Sequence, residues 1–194
     1  MGIINNKNII YNNSKTFFWA SIFLPKNILN KVINIYSFCR IHDDIVDEGL
    51  SEGSIEETKE LEEIVKSYGV SEKLIEELVS GINSDINFKR YRNNDELLRY
   101  CYKVAGVVGL MMSIALEIKS KEAKYFAIDL GIAMQLTNIS RDIIQDFNKN
   151  RIYLPEDTGI NKDIFNNITS ENKIKIKNSI KSLLIKADIF YNSS

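Results

Sequence analysis

The chain has 194 residues, 44% of them hydrophobic and 26% charged, enough apolar material for the core of one globular domain. Twenty-five basic and 26 acidic residues leave a formal net charge of −1, which removes the main electrostatic argument for nucleic-acid binding. Two cysteines, Cys39 and Cys101, cannot build a disulfide framework, and with His42 as the single histidine no Cys/His zinc cluster can be assembled.

The N-terminal stretch MGIINNKNIIYNNSK lacks the charged-then-apolar profile of a secretory signal. Pro25 stands just before a long apolar-periodic run, where proline suits a helix start. From Asn27 to Asp47 the residues Val32, Ile35, Tyr36, Cys39 and Val46 keep helical spacing. Gly49 to Ser80 is rich in glutamate and broken at Ser67-Tyr68-Gly69, which predicts two short, solvated amphipathic helices. Leu97 to Glu117 and Lys121 to Phe147 are again helical in period, and Pro155 suits a helix stop. The longest uncharged apolar stretch, Val104 to Leu116, is 13 residues long and too short to cross a bilayer. Beyond Lys173, the residues Ile176, Ile180, Leu183, Leu184, Ala187 and Tyr191 share a helical stripe that requires a partner surface. No period-2 strand interrupts the pattern. The expected fold class is all-α, the expected location cytoplasmic, and Cys39 and Cys101 are expected to be small buried hydrophobes.

Two of these helices carry a polar face. Tyr36, Arg40, Asp43 and Asp47 are separated by 4, 3 and 4 residues and so line one side of a helix. Gln135, Asn138, Asp142 and Asp146 are separated by 3, 4 and 4 and do the same. Each face ends in two carboxylates one turn apart, set among apolar neighbours such as Ile45, Val46, Ile139 and Ile143. Like charges at that spacing repel, and in a partly buried cleft they require cations or protons. An oxygen-only donor set suits a hard divalent ion such as Mg²⁺, held by carboxylates together with substrate phosphates.

Four ordered blocks around these faces resemble the squalene/phytoene synthase family, the head-to-head branch of the all-α isoprenyl diphosphate synthases. They are Ser14-Lys15-Thr16-Phe17 through Ser21 to Pro25; Tyr36 through Arg40 to Asp43-Asp44-Ile45-Val46-Asp47; Asp95 through Tyr100, Val104 and Gly106 to Gly109; and Gly131 through Gln135, Asn138, Arg141 and Asp142 to Asp146, followed by Arg151-Ile152-Tyr153-Leu154-Pro155. The resemblance implies an isoprenoid-synthase-type helical bundle around a central cavity. It would form one domain over residues 1–194, incomplete because it is shortened between Asp47 and Asp85 and lacks the family's C-terminal helices.

By the same resemblance, Asp43, Asp47, Asp142 and Asp146, with Asn138, would hold Mg²⁺, or Mn²⁺ in its place. Tyr36 and Arg40 join the four aspartates as catalytic residues. Arg40 and Arg141 would neutralise diphosphate, Ser14, Thr16, Tyr36 and Tyr100 would donate hydrogen bonds, and Lys15 and Arg151 would complete the substrate-binding set. Phe17, Val104, Gly109 and Gln135 would line the cavity, while close helix approach remains a second reading of Gly106 and Gly109. The small Ser21 leaves room for a longer donor. The implied reaction is head-to-head condensation of two prenyl diphosphates through a cyclopropylcarbinyl diphosphate, with geranylgeranyl diphosphate to phytoene favoured over farnesyl diphosphate to dehydrosqualene. A head-to-tail prenyl transferase or terpene cyclase also satisfies Asp43-Asp44-Ile45-Val46-Asp47, and a non-catalytic binding or assembly relative, or an inactive fragment, is the alternative from another class. The implied partners are prenyl diphosphates, a membrane surface for release of an apolar product, and a chain covering the C-terminal apolar face, with no nucleic acid.

Overall fold

Pro25 and Gly49 bracket the first helix. In the computed structural model, which describes residues 19, 23–49 and 52–194, α1 runs from Lys26 to Glu48. Pro25 precedes it at φ −53°, already close to the helical value, and the Leu29 N–H bonds back to the Pro25 carbonyl at 2.8 Å. Gly49 ends it at φ +94°, where a side chain would be strained. Next come α2 (Glu52–Ser67) and α3 (Glu72–Asn83), parted at the expected break. They are less solvated than their charge suggests. Leu61, Val65, Ile75 and Leu78 are buried with Ile35, Phe38, Val107 and Met111 in one half of the core.

The central rod spans Asn94–Ala115 and is continuous but irregular, with α4 (Asn94–Cys101), a π-helical turn (Tyr102–Gly106) and α5 (Val107–Ala115). Asn93 accepts a hydrogen bond from the Glu96 N–H at 3.1 Å, and the Glu96 carboxylate reaches back to the Arg92 N–H at 2.8 Å, so two otherwise orphaned donors are met at its start. At 22 residues this rod is long and apolar enough to cross a membrane, which the 13-residue stretch from Val104 to Leu116 did not reveal. Its surroundings are those of a core helix. Leu97, Cys101, Val107, Met111 and Ala115 are fully buried inside the bundle.

α6 (Lys121–Arg141) is capped by Ser120 and crosses the rod at very close range. A Cβ on Gly131 would collide with the Ala105 carbonyl inside the π turn, and one on Gly109 would collide with the Ala127 carbonyl. Close helix approach therefore accounts for Gly109. Gly131→Ala is expected to destabilise the chain by about 1–3 kcal/mol, because backbone must move, against the ~1 kcal/mol that alanine gains in helix propensity. Urea unfolding measures this directly, and an unchanged midpoint would mean that the two helices part at little cost.

The helical run expected from Lys121 to Phe147 breaks at Asp142 (φ −98°, ψ 14°), and α7 (Ile143–Asn148) resumes beyond it. The bonds Asp142 N–H to Asn138 O and Asp146 N–H to Asp142 O, both 2.9 Å, survive, so the break is a kink. Pro155 then introduces a 3₁₀ turn (Glu156–Thr158), followed by α8 (Lys162–Asn166) and α9 (Ser170–Ser193). α9 packs on α6, with Leu183 and Ala187 buried and the Tyr191 hydroxyl 3.2 Å from Thr137 Oγ1. The centre of the C-terminal stripe thus finds its partner within the chain, while Leu184 and Tyr191 stay 44% and 39% exposed. A second core half gathers Leu97, Leu136, Leu154, Ile160 and Leu183. Tyr102 and Val104, in the π turn, pack against both halves.

Candidate functional site

The two polar faces meet across a cleft of ≈ 260 Å³ between α1 and α6. α1 contributes Arg40, Asp43, Val46 and Asp47; α6 and its kink contribute Gln135, Asn138, Arg141 and Asp142; Ile82, Asp85 and Arg151 close it. Tyr36 stands one turn before Arg40, and its hydroxyl pKa is raised by burial, with Arg40 opposing and Asp43 reinforcing.

The carboxylates here are not equivalent. Arg40 ion-pairs with Asp44, leaving Asp43 the least compensated. Burial, offset in part by Arg40 and reinforced by Asp47, Asp44 and Asp85, pushes the Asp43 carboxyl up to about 7. Asp47 also loses solvation, but hydrogen bonds from Lys149 Nζ at 2.7 Å and Arg151 Nη1 at 2.8 Å hold its pKa below the usual carboxylate value. Arg141 grips Asp142 with two bonds, Nε to Oδ1 at 2.7 Å and Nη2 to Oδ2 at 2.6 Å. Asp146 is the exception to the face read from the sequence. The kink carries it onto α7 and off the lining of the cleft, where burial and the Asp142 charge push it up to about 6.

Among the described residues no three His, Cys, Asp or Glu side chains converge as a ready-made metal cluster. The carboxylate charge is met by Lys149, Arg151 and Arg141 instead. The donors still suit a hard divalent ion, since they are all oxygen and Asp43 is desolvated without a cation seated on it.

Three residues were not singled out in the sequence. Asp85 receives the Tyr100 hydroxyl at 2.8 Å, and its other oxygen is buried with no partner. Burial raises its pKa, with Tyr100, Tyr153 and Arg151 opposing. Tyr153 stacks on Tyr100 at 5.2 Å between centroids, and Lys149 reaches Asp47 across 102 positions. Tyr153 and Lys149 flank Arg151 in a stretch already notable for its motif, but Asp85 stands alone, with no second carboxylate one turn away.

Of the remaining expected site residues, Tyr100 and Gln135 reach this region, whereas Val104 packs at the seam of the core and Gly109 faces α6. Ser14, Lys15, Thr16, Phe17 and Ser21 lie outside the described residues. His42 turns Nδ1 toward the Phe38 carbonyl at 2.9 Å, and burial lowers its pKa. Burial pushes the Cys101 thiol up to about 12 and raises Cys39 further, as suits small core hydrophobes.

A family profile described as squalene/phytoene synthase matches residues 10–63 and 56–164. The two matched pieces overlap within α2, near the stretch expected to be shortened. A phytoene synthase from Pseudescherichia vulneris is 31% identical over 94% of this chain and 70% of its own length. A chloroplastic phytoene synthase 1 from Zea mays is 31% identical over 93% of this chain and 51% of its own. A crystal structure of a dehydrosqualene synthase in complex with ligand superposes with a TM-score of 0.80 at 26% identity, over 98% of this chain and 75% of that one. The chain thus spans from about half to three quarters of the length of these relatives.

Proposed function

The chain belongs to the squalene/phytoene synthase family, whose enzymes join two prenyl diphosphates head to head, and from that premise we propose that its cleft binds prenyl diphosphates with Mg²⁺ and condenses them. The observation that carries this reading is the meeting of Arg40, Asp43 and Asp47 with Gln135, Asn138, Arg141 and Asp142 across one cleft. Oxygen donors and guanidinium groups facing each other at that scale fit a diphosphate bound by the guanidinium groups, with hard cations that the carboxylates would hold.

Asp43, Asp47 and Asp142, with Asn138, would hold Mg²⁺, or Mn²⁺ in its place, and Asp146, outside the lining but coupled to Asp142, would join them from α7. When bound, the ion makes diphosphate a competent leaving group. Arg40, Arg141, Arg151 and Lys149, now paired with carboxylates, would turn their charge to the phosphate oxygens. Tyr36 donates a hydrogen bond, and Tyr100 does so once its hydroxyl proton leaves Asp85 for a phosphate oxygen. Departure of diphosphate leaves an allylic cation; the double bond of the second prenyl chain attacks it, and loss of a proton to the released diphosphate closes the ring to a cyclopropylcarbinyl diphosphate. A second ionisation, rearrangement and proton loss complete the hydrocarbon. Geranylgeranyl diphosphate is the favoured donor and phytoene the favoured product, released toward a membrane surface that the protein touches peripherally.

The test incubates the purified chain with labelled geranylgeranyl or farnesyl diphosphate, with and without Mg²⁺, beside Asp142→Asn. A metal-dependent forty-carbon hydrocarbon, lost in the variant, is expected. A thirty-carbon product would reassign the donor. Metal-dependent binding that yields only prenyl alcohol would keep the site and withdraw the condensation. Absence of both binding and product would overturn the reading.

A further inference from the structure

The end of α3 walls two clefts. Ile82 and Asp85 belong to the polar cleft described above, whereas Ser80, Gly81 and Ser84 line a second, larger groove of ≈ 350 Å³ toward α4. Four basic side chains line that groove, Lys89, Arg90, Arg99 and Lys103, against one acidic residue, Glu96. Both Glu96 oxygens are already engaged, one by the Arg92 N–H at 2.8 Å and the other by Arg92 Nε at 2.6 Å. Arg90 spends Nη2 on the Leu154 and Ile160 carbonyls, and its Nε is buried with no partner. Lys103 touches Ser80 Oγ at 3.2 Å and Glu77 at 3.5 Å. In a chain of net charge −1, this is a local excess of positive charge, not a general basicity.

Cations commonly gather where a helix ends, facing its carbonyls. That explains Lys103 and Lys89 beside the end of α3. It does not explain Arg99, because α4 does not end there and passes through the π turn into α5. The contrast with the polar cleft is chemical. Four aspartates among its lining mean that an anion needs a metal there, whereas the second groove can hold an anion unaided.

We propose that this groove is a metal-independent binding site for a phosphate-type anion, recognised by Arg99, Lys103 and Lys89 around the fixed guanidinium of Arg90. The site does not rest on the prenyl diphosphate reading. Its ligand is either free diphosphate or the phosphate headgroup of a lipid, which offer the same oxygens to the same cations.

The probe is inorganic diphosphate, titrated calorimetrically into the full chain in EDTA at low ionic strength, where screening is weak. Wild-type chain is expected to bind. Arg99→Gln/Lys103→Gln is expected to weaken binding about tenfold or more, having lost two charge-assisted contacts. Arg141→Gln, in the polar cleft, is expected to leave it unchanged. Arg99→Lys/Lys103→Arg keeps both charges and is expected to keep binding. A parallel arm measures co-sedimentation with phosphatidylcholine vesicles with and without phosphatidylglycerol. Vesicle binding that the Gln variant loses, with no affinity for free diphosphate, would assign the groove to a lipid headgroup; the reverse pattern would assign it to the free anion. Binding to neither probe, binding that falls with Arg141→Gln instead, or equal loss in both double variants would overturn the site.

Discussion

Asp43→Asn is expected to abolish Mg²⁺-dependent binding of prenyl diphosphate while making the metal-free chain more stable. Removing a ligating oxygen charge should weaken metal binding at least about 100-fold, since even residues that only support a ligand are worth 10–100-fold. The gain in stability comes from the same carboxylate. Burial and the neighbouring aspartates push Asp43 up to about 7, so keeping it ionised above that pH costs folding free energy that a neutral amide does not incur. At pH 8 in EDTA the gain should be of order 1 kcal/mol or more, given about 1.4 kcal/mol per unit of displacement.

The pH dependence has a definite sign. Asp43 and Asp146 have folded-state pKa values above their unfolded ones, so their contribution is full below pH ~4. It is lost as pH rises through about 6 for Asp146 and about 7 for Asp43. Asp47, held low by Lys149 and Arg151, works the other way and loses its contribution only in acid. The metal-free Tm should therefore fall between pH 5 and pH 8, less so in Asp43→Asn, and Mg²⁺ should raise Tm more at pH 8 than at pH 6 because protons compete for the same oxygens. Scanning calorimetry in EDTA and in Mg²⁺ reads all of this. A variant less stable than wild type at pH 8 in EDTA would show that Asp43 is held by contacts other than a cation.

Arg151→Met should be among the most damaging single changes to stability in the described part of the chain. Its side chain is 13% exposed and bonds Asp47 at 2.8 Å. Its charge also offsets Asp85 and Asp146. Removing it strands three carboxylates in a poorly solvated place. Breaking a fully buried pair costs about 3–5 kcal/mol, and the partial exposure of Asp47 reduces that to about 2–3 kcal/mol. Lys149→Gln removes the other cation on Asp47 from a more exposed position and should cost under about 1 kcal/mol. Adding Asp47→Asn to Arg151→Met should recover part of the loss, as groups sharing one network are not additive. Urea denaturation of wild type, Asp47→Asn, Arg151→Met and the double variant completes the cycle. A loss below about 0.5 kcal/mol for Arg151→Met would mean that solvent already compensates these carboxylates.

The tertiary structure explains why Asp85 was illegible while Asp43 and Asp47 were not. Two carboxylates one turn apart announce a shared face, because helical spacing alone brings them together. Asp85 acquires its place from Tyr100, Tyr153 and Arg151, residues 15, 68 and 66 positions away, and no local spacing encodes such a meeting. Gly131 is similar. Its missing side chain matters because α6 crosses the π turn at Ala105, and the need exists only once the helices are packed. The kink at Asp142 was hidden for the opposite reason, since the polar spacing runs through it without interruption while the helix does not.

Periodicity and punctuation in the sequence determined the all-α class, the start of α1 after Pro25 and its run to Asp47, the break between α2 and α3, and which polar residues share a face. Those are properties of a single helix, set by 3.6 residues per turn and by backbone angles that proline and glycine favour. Only the tertiary structure decided that the two faces oppose each other, that Lys149 and Arg151 neutralise Asp47, that Asp146 turns off the cleft, and that α6 covers the centre of the α9 stripe. These depend on the burial and charge that packed helices impose on one another, and burial and charge act through space, between residues that sequence distance keeps apart.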